Sequence, residues 1–120
     1  MSYSVVIEND HVYVKYSGVV DGLDVVRITA DKNFINNLRR LQKVVHDFSF
    51  SEYVDLGLDD LKDFAVISNI ESNFSEKLLA VIIPKNADGY ERVAVLSEAI
   101  RSPDWTILVA QNYADALTKI

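Results

Sequence analysis

The residues best suited to chemistry are His46 and Asp47, the only adjacent pair fitted to proton transfer, within the run Lys43–Phe48 (KVVHDF). If that run is a strand, successive side chains leave on opposite faces, so the two cannot serve one substrate atom. His46 then reads as a satisfied or partly exposed imidazole. Asp47 sits at the carboxyl end of the strand, where open α/β sheets gather ligands. The plainer role for its carboxylate is to accept backbone N–H groups and order the loop from Ser49 to Tyr53. Ser49 and Ser51 are loop hydroxyls with no base nearby in sequence, and His11 is too remote to assign, so nothing supports a Ser-His-Asp triad. Phosphorylation of Ser49 or Ser51 stands as a minor alternative to ordinary turn chemistry.

A second cluster lies at Asn86–Arg92 (NADGYER). Asn86 supplies a capping side chain, and Gly89, Tyr90 and Arg92 follow at the opening of a helix. Exposed helix N–H groups attract anions and an Arg fork can clamp one. The plainer alternative is a capped helix with an Arg–carboxylate surface pair, and the spacing is not that of a P-loop. Arg39, Arg40 and Lys43 read as a solvated basic face rather than a lipid-headgroup site. Asp55, Asp59, Asp60 and Asp63 do not follow the EF-hand order. Trp105 and Tyr113 read as core and core-edge aromatics. No cofactor or metal is expected.

Composition narrows the classes further. The 120 residues imply one domain, residues 1–120, with an ordinary 49% hydrophobic and 25% charged content. A net charge of −6 repels polyanions, so nucleic acid is not an expected partner. Without cysteine, disulfides, thiolate catalysis and the common structural zinc sites are excluded. The opening MSYSVVIENDH lacks a basic start and an apolar core, and no apolar stretch approaches the ~20 residues of a membrane span. A cytoplasmic location is the expectation.

Three short apolar runs separated by helix-length segments must position these residues: Lys43–Phe48, Leu78–Pro84 (LLAVIIP) and Trp105–Ala110 (WTILVA). Strands apolar on both faces are buried on both, the mark of a parallel β/α sheet. Before them, Ser4–Ile7, an Asn9-Asp10 turn and Val12–Tyr16 predict a hairpin. Asp21 caps a first helix with Leu23, Val26 and Ile28 as apolar positions, fraying over Asp31–Asn37. After a loop from Ser49 to Gly57, the second helix carries an inner stripe of Leu58, Leu61, Phe64, Ala65 and Ser68. The third, about Ala87–Arg101, buries Tyr90, Val93, Ala94, Ser97 and Ile100. A short Asn112-capped helix, Tyr113–Ile120, closes the chain.

The order β-β-α-β-α-β-α-β-α, with right-handed crossovers, predicts an α/β fold. It is a single-wound β/α superhelix with a mixed five-stranded sheet, an N-terminal antiparallel hairpin followed by parallel strands, and about four helices. Its helices fall on one face, yet Leu79, Val81 and Ile83 oppose Leu78, Ala80 and Ile82. The second set needs cover from the hairpin, a helix crossing over, strand twist, a twin subunit or an apolar ligand.

Within Val44–Asp60, Asp47-Phe48-Ser49 and Asp55-Leu56-Gly57 resemble the two motifs at the centre of STAS domains, the sulfate-transporter and anti-anti-sigma family. There the second motif carries a phosphorylated serine, which Leu56 replaces here. The chain more closely resembles the SpoIIAA-like (STAS/SEC14-like) branch over nearly its full length. The matching features are Tyr16-Ser17-Gly18 after the hairpin, a strand ending at Asp47, Ala80–Asn86 (AVIIPKN), the Gly89-x-x-Arg92 helix start and the closing Asn112–Ile120. The resemblance implies a β/α superhelix and a small-ligand, membrane-peripheral or protein-signalling role.

The expected function is a non-enzymatic binding or regulatory domain for a small apolar molecule or lipid, with peripheral membrane contact as one form of it. The alternative is a STAS-type protein-interaction module, a homodimer included, working through Tyr53, Leu56 and the surrounding Ser49–Leu58 loop. Candidate ligand or partner contacts are Asp47, Ser49, Ser51, Tyr53, Leu56, Asn86, Gly89, Tyr90 and Arg92.

Overall fold

The computed structural model describes residues 2–71, 77–100 and 103–120. The chain opens with a hairpin, β1 (Tyr3–Ile7) and β2 (Val12–Tyr16), paired antiparallel with Val5 opposite Val14. Two residues later comes β3 (Gly18–Asp21), which Gly18 starts from a left-handed φ of 64°. That region costs glycine little, so the chain can leave the main sheet abruptly here.

Asp21 caps α1 (Gly22–Ala30) through a reciprocal box with Asp24: each carboxylate accepts the other's backbone N–H. The inner positions of α1 are Val25 and Ile28, while Leu23 and Val26 are exposed, so the apolar stripe is rotated from the expected one. The helix also does not fray. It stops at Asp31, whose carboxylate accepts from Phe34 N–H and starts α2 (Lys32–Leu41). The Asn-rich stretch is thus a second helix, held by an aspartate that ends one element and caps the next. It raises the helix count among the described residues to five.

The remaining elements are β4 (Lys43–Asp47), β5 (Ser51–Asp55), α3 (Leu58–Glu71), β6 (Leu78–Ile83), α4 (Ala87–Ala99), β7 (Trp105–Val109) and α5 (Tyr113–Leu117). The expected end of the third helix, Arg101, lies outside the described residues. Five strands form one sheet in the order β1-β2-β4-β6-β7, parallel from β2 onward. Each parallel strand therefore adds beside its predecessor, as a single-wound superhelix requires. The segment expected as a loop instead holds β5, which pairs in parallel with β3 as a two-stranded ribbon outside the main sheet.

Period-two alternation divides the strand side chains between two cores. Val12, Val14, Tyr16, Val44, Leu78 and Ala80 pack with Ile28 of α1 and Phe34 and Leu38 of α2. Ile82 packs with Ala65 of α3, Val93 and Leu96 of α4 and Ile100, which caps the end of α4. On α4, Tyr90, Ala94 and Ser97 are exposed and Leu96 is buried, so its stripe too is rotated from the expected one. On α3, Leu61, Ala65 and Ser68 face inward as expected, but Leu58 is exposed.

The opposite set, Val45, Val81 and Ile83, meets Ala110 and Ala116, with Tyr13, Leu79, Leu108, Tyr113 and Ile120 around them. The second face is thus covered by the closing helix, which crosses over. Five helical residues span only about 7.5 Å, against about 19 Å across five strands. α5 therefore caps the middle of this face, leaving Val6 exposed on β1.

Candidate functional site

The parallel strands end in aromatic and cyclic residues that cannot extend the core smoothly. Tyr16 closes β2, Phe48 follows β4 and Pro84 follows β6. Tyr16 and Phe48 stack with ring centroids 4.1 Å apart. Beyond them stands the β3–β5 ribbon, and between ribbon, sheet, α3 and α4 a pocket opens. It contains about 670 Å³ of atom-free space, its open mouth included. Its walls are overwhelmingly apolar: Val25, Phe48, Val54, Leu61, Phe64 and Val93 are typical. The mouth carries Asp60, Lys85 and Arg92, and Leu56 and Gly89 complete its edge.

Arg92 is fixed rather than free to swing. Its Nε donates to the Leu56 carbonyl at 3.3 Å and its Nη2 to the Val54 carbonyl at 3.1 Å. The guanidinium thereby clamps the end of β5 onto α4 and shapes the mouth. The surface carboxylate pair expected of it does not form; the acceptors are backbone carbonyls. Gly89 is needed at this helix start because a Cβ there would stand 2.9 Å from Cβ of Pro84. Asn86 caps α4 by accepting from Gly89 N–H.

At the inner end lies His46, only 5% exposed. It sits on the β4 face shared with Val44, so it points toward the helices. Phe34 and Phe64 flank its ring, the latter edge-on. Its Nδ1 is 2.9 Å from the Tyr16 hydroxyl. Burial holds the imidazole neutral, pushing its pKa down to about 4. Reading His46 from the sequence as a satisfied or partly exposed imidazole misses its place in the pocket lining; a histidine on the inward face of an otherwise apolar strand is the available signal.

The other expected contacts divide cleanly. Leu56, Gly89 and Arg92 reach the pocket, with Asn86 supporting it from the cap. Asp47 does not: its carboxylate faces the opposite side and accepts from the Tyr13 hydroxyl at 2.6 Å, and from Ser49 N–H and Oγ at 3.0 and 2.6 Å. This is the loop-ordering role. Ser51 is buried and donates to the Phe48 carbonyl at 2.6 Å. Tyr53 and Tyr90 are exposed on the outer surface. His11 is held between Asp10 and the Tyr113 hydroxyl, each at 2.7 Å, and among the described residues no serine bonds to either histidine. Of the basic cluster, Arg39 forms a two-point pair with Glu71 of α3. No described helix is long and apolar enough to cross a membrane.

No protein-family model matches this sequence, and no curated protein matches it. Similarity appears at the level of structure. An uncharacterized DUF3478-family protein with a SpoIIAA-like fold, from Shewanella loihica PV-4, superposes with a TM-score of 0.59 at 14% identity, over 98% of this chain and 90% of its own. The anti-sigma factor antagonist SpoIIAA in its unphosphorylated form superposes with a TM-score of 0.55 at 10% identity, over 98% and 96%. The strand order, the antiparallel entry and these full-length superpositions together show that the chain has the SpoIIAA-like, STAS-type fold.

Proposed function

We propose that residues 1–120 form one non-enzymatic, cytoplasmic binding domain that takes a small apolar ligand between the sheet, the β3–β5 ribbon, α3 and α4. The supporting observation is the pocket itself: a wall of apolar side chains around a cavity volume of about 70 Å³, open at one side. A small apolar pocket with a few converging polar groups is the usual form of a ligand site. A lipid tail is one occupant of the right chemistry, and a membrane-peripheral role would follow from it. Native mass spectrometry of the purified protein, with extraction into organic solvent, tests the reading. A retained apolar molecule displaced by Leu61→Trp supports it. Ligand-free protein that also fails to take up any small apolar probe overturns it.

A second reading is a protein-interaction surface on the outside of the ribbon, with a second copy of the chain as one partner. Val19 and Tyr53 lie opposite each other across β3 and β5 and are 53% and 60% exposed. Leu23 and Leu58, also exposed, sit at the starts of the helices that follow those strands. The similar SpoIIAA is an anti-sigma factor antagonist, and a protein partner here would meet this surface rather than the pocket. Sedimentation of the protein and of Tyr53→Glu checks the homodimer: a dimer dissolved by the substitution supports it, and an unaltered monomer rejects it.

A further inference from the structure

Two buried polar side chains at the inner end of the pocket each leave a polar atom without a partner among the described residues. His46 and Ser68 are each 5% exposed. Among the described residues, His46 has one hydrogen bond, from Nδ1 to the Tyr16 hydroxyl, and Nε2 has none. The Ser68 hydroxyl has none either; only its backbone carbonyl is used, by Trp105 Nε1 at 2.7 Å. Both side chains line an inner hollow with a cavity volume of about 20 Å³, room for roughly one oxygen-sized atom, whose other walls are Phe64, Ala80, Ile82, Leu96, Ile100, Trp105 and Ile107. His46, Phe64, Ile82 and Leu96 line this hollow and the pocket alike.

Buried polar atoms are paired in nearly all native proteins, so two unpaired ones on one apolar hollow point to something that joins them. The proton positions follow from the same rule. The Tyr16 hydroxyl has no acceptor other than Nδ1 among the described residues, so it donates there. The ring proton of the neutral imidazole then belongs on Nε2, which becomes a donor. The Ser68 hydroxyl is a second donor. A single acceptor oxygen lodged in the hollow they share would satisfy both.

Resting on the pocket reading above, we propose that the ligand is an uncharged apolar carbonyl compound whose oxygen accepts from His46 Nε2–H and Ser68 Oγ–H. A carboxylate is disfavoured, because the hollow holds no cation and an unpaired buried charge is heavily penalised. The cationic groups of this site, Lys85 and Arg92, line the outer pocket and not the inner hollow. A hydrocarbon alone would leave both donors unsatisfied.

Acetophenone and ethylbenzene separate the alternatives, since they differ by a carbonyl in place of a methylene at nearly constant shape. Titrations of the ¹⁵N-labelled full chain yield both dissociation constants, and the His46 ring resonances report the Nε2 proton directly. Acetophenone is expected to bind about tenfold more tightly and to shift the Nε2–H signal. His46→Leu should abolish that preference and Ser68→Ala should reduce it several-fold, with ethylbenzene binding retained. Ser68→Ala replaces one residue inside α3 with a better helix former, so the test survives if His46→Leu does not fold. Equal binding of the two probes to the unaltered protein overturns the carbonyl inference and leaves the pocket reading standing. That result is expected if a fixed water already joins the two donors. Binding of neither probe overturns both.

Discussion

The Tyr16 hydroxyl and His46 Nδ1 lie 2.9 Å apart beneath the pocket, a tyrosine from β2 and a histidine from the neighbouring strand β4. Both are buried, and this is the only hydrogen bond either side chain makes among the described residues. With the Tyr16 hydroxyl as donor, the ring proton falls on Nε2, which is what the proposed ligand contact uses.

Tyr16→Phe keeps the ring that stacks on Phe48 and removes the donor. Nδ1 is then left without a partner, so stability should fall by about 1–2 kcal/mol in urea denaturation. The ¹⁵N shifts of His46 should also move away from a pure Nε2–H pattern. Unchanged stability and unchanged shifts would show that the bond contributes nothing.

Stability should depend on pH through His46. Its folded pKa, about 4, lies below the ordinary 6.5 because burial disfavours the charged ring. Between those values the unfolded chain binds the proton and the folded chain does not, so stability rises with pH. The contribution is fully present above about 6.5 and is lost as pH falls toward 4. The gap corresponds to about 3 kcal/mol. Thermal denaturation across this window should be steeper for the unaltered protein than for His46→Leu. Parallel curves would contradict it. The lowered carboxyl pKa values of Asp10 and Asp115 act below this window, because their ordinary value is 3.8.

Arg92→Met keeps the aliphatic stem but drops the donors to the Leu56 and Val54 carbonyls. The end of β5 then loses its polar tie to α4, and amide exchange of Val54 and Asp55 should accelerate. A stability loss of about 1 kcal/mol is expected. Binding of an apolar probe should weaken several-fold as the mouth loosens. Exchange at the same rate would show that the ribbon is fixed without the clamp.

Asp47→Asn tests the loop-ordering role on the other face. The carboxylate is 1% exposed and accepts three hydrogen bonds, one of them from Tyr13. The amide can replace only part of that set, so a loss of about 2 kcal/mol is expected. Tyr13 offers an independent readout: burial first, and then Asp47, raises its pKa above the ordinary tyrosine value. In Asp47→Asn its titration should shift downward. Probe binding in the pocket should stay the same, because Asp47 does not reach it.

What the chain revealed by itself was whatever is settled within a few residues. Six apolar residues at Leu78–Ile83 specify a strand buried on both faces. Asp21, Asn86 and Asn112 mark helix starts because each side chain bonds an N–H three residues on. Repetition of these local signals was enough for the strand order and the superhelical class. Asp31 was local too, but its Asn-rich surroundings hid a cap as a fraying end. The tertiary structure decided the rest. Ser51–Asp55 (SEYVD) has no apolar pattern and becomes a strand only because β3 supplies its hydrogen bonds. α5 crosses to the far face because Val45, Val81 and Ile83 need burial there, a demand spread over two strands. His46 and Ser68 come from different elements and meet only once α3 lies on the sheet, so no spacing in the sequence announces them.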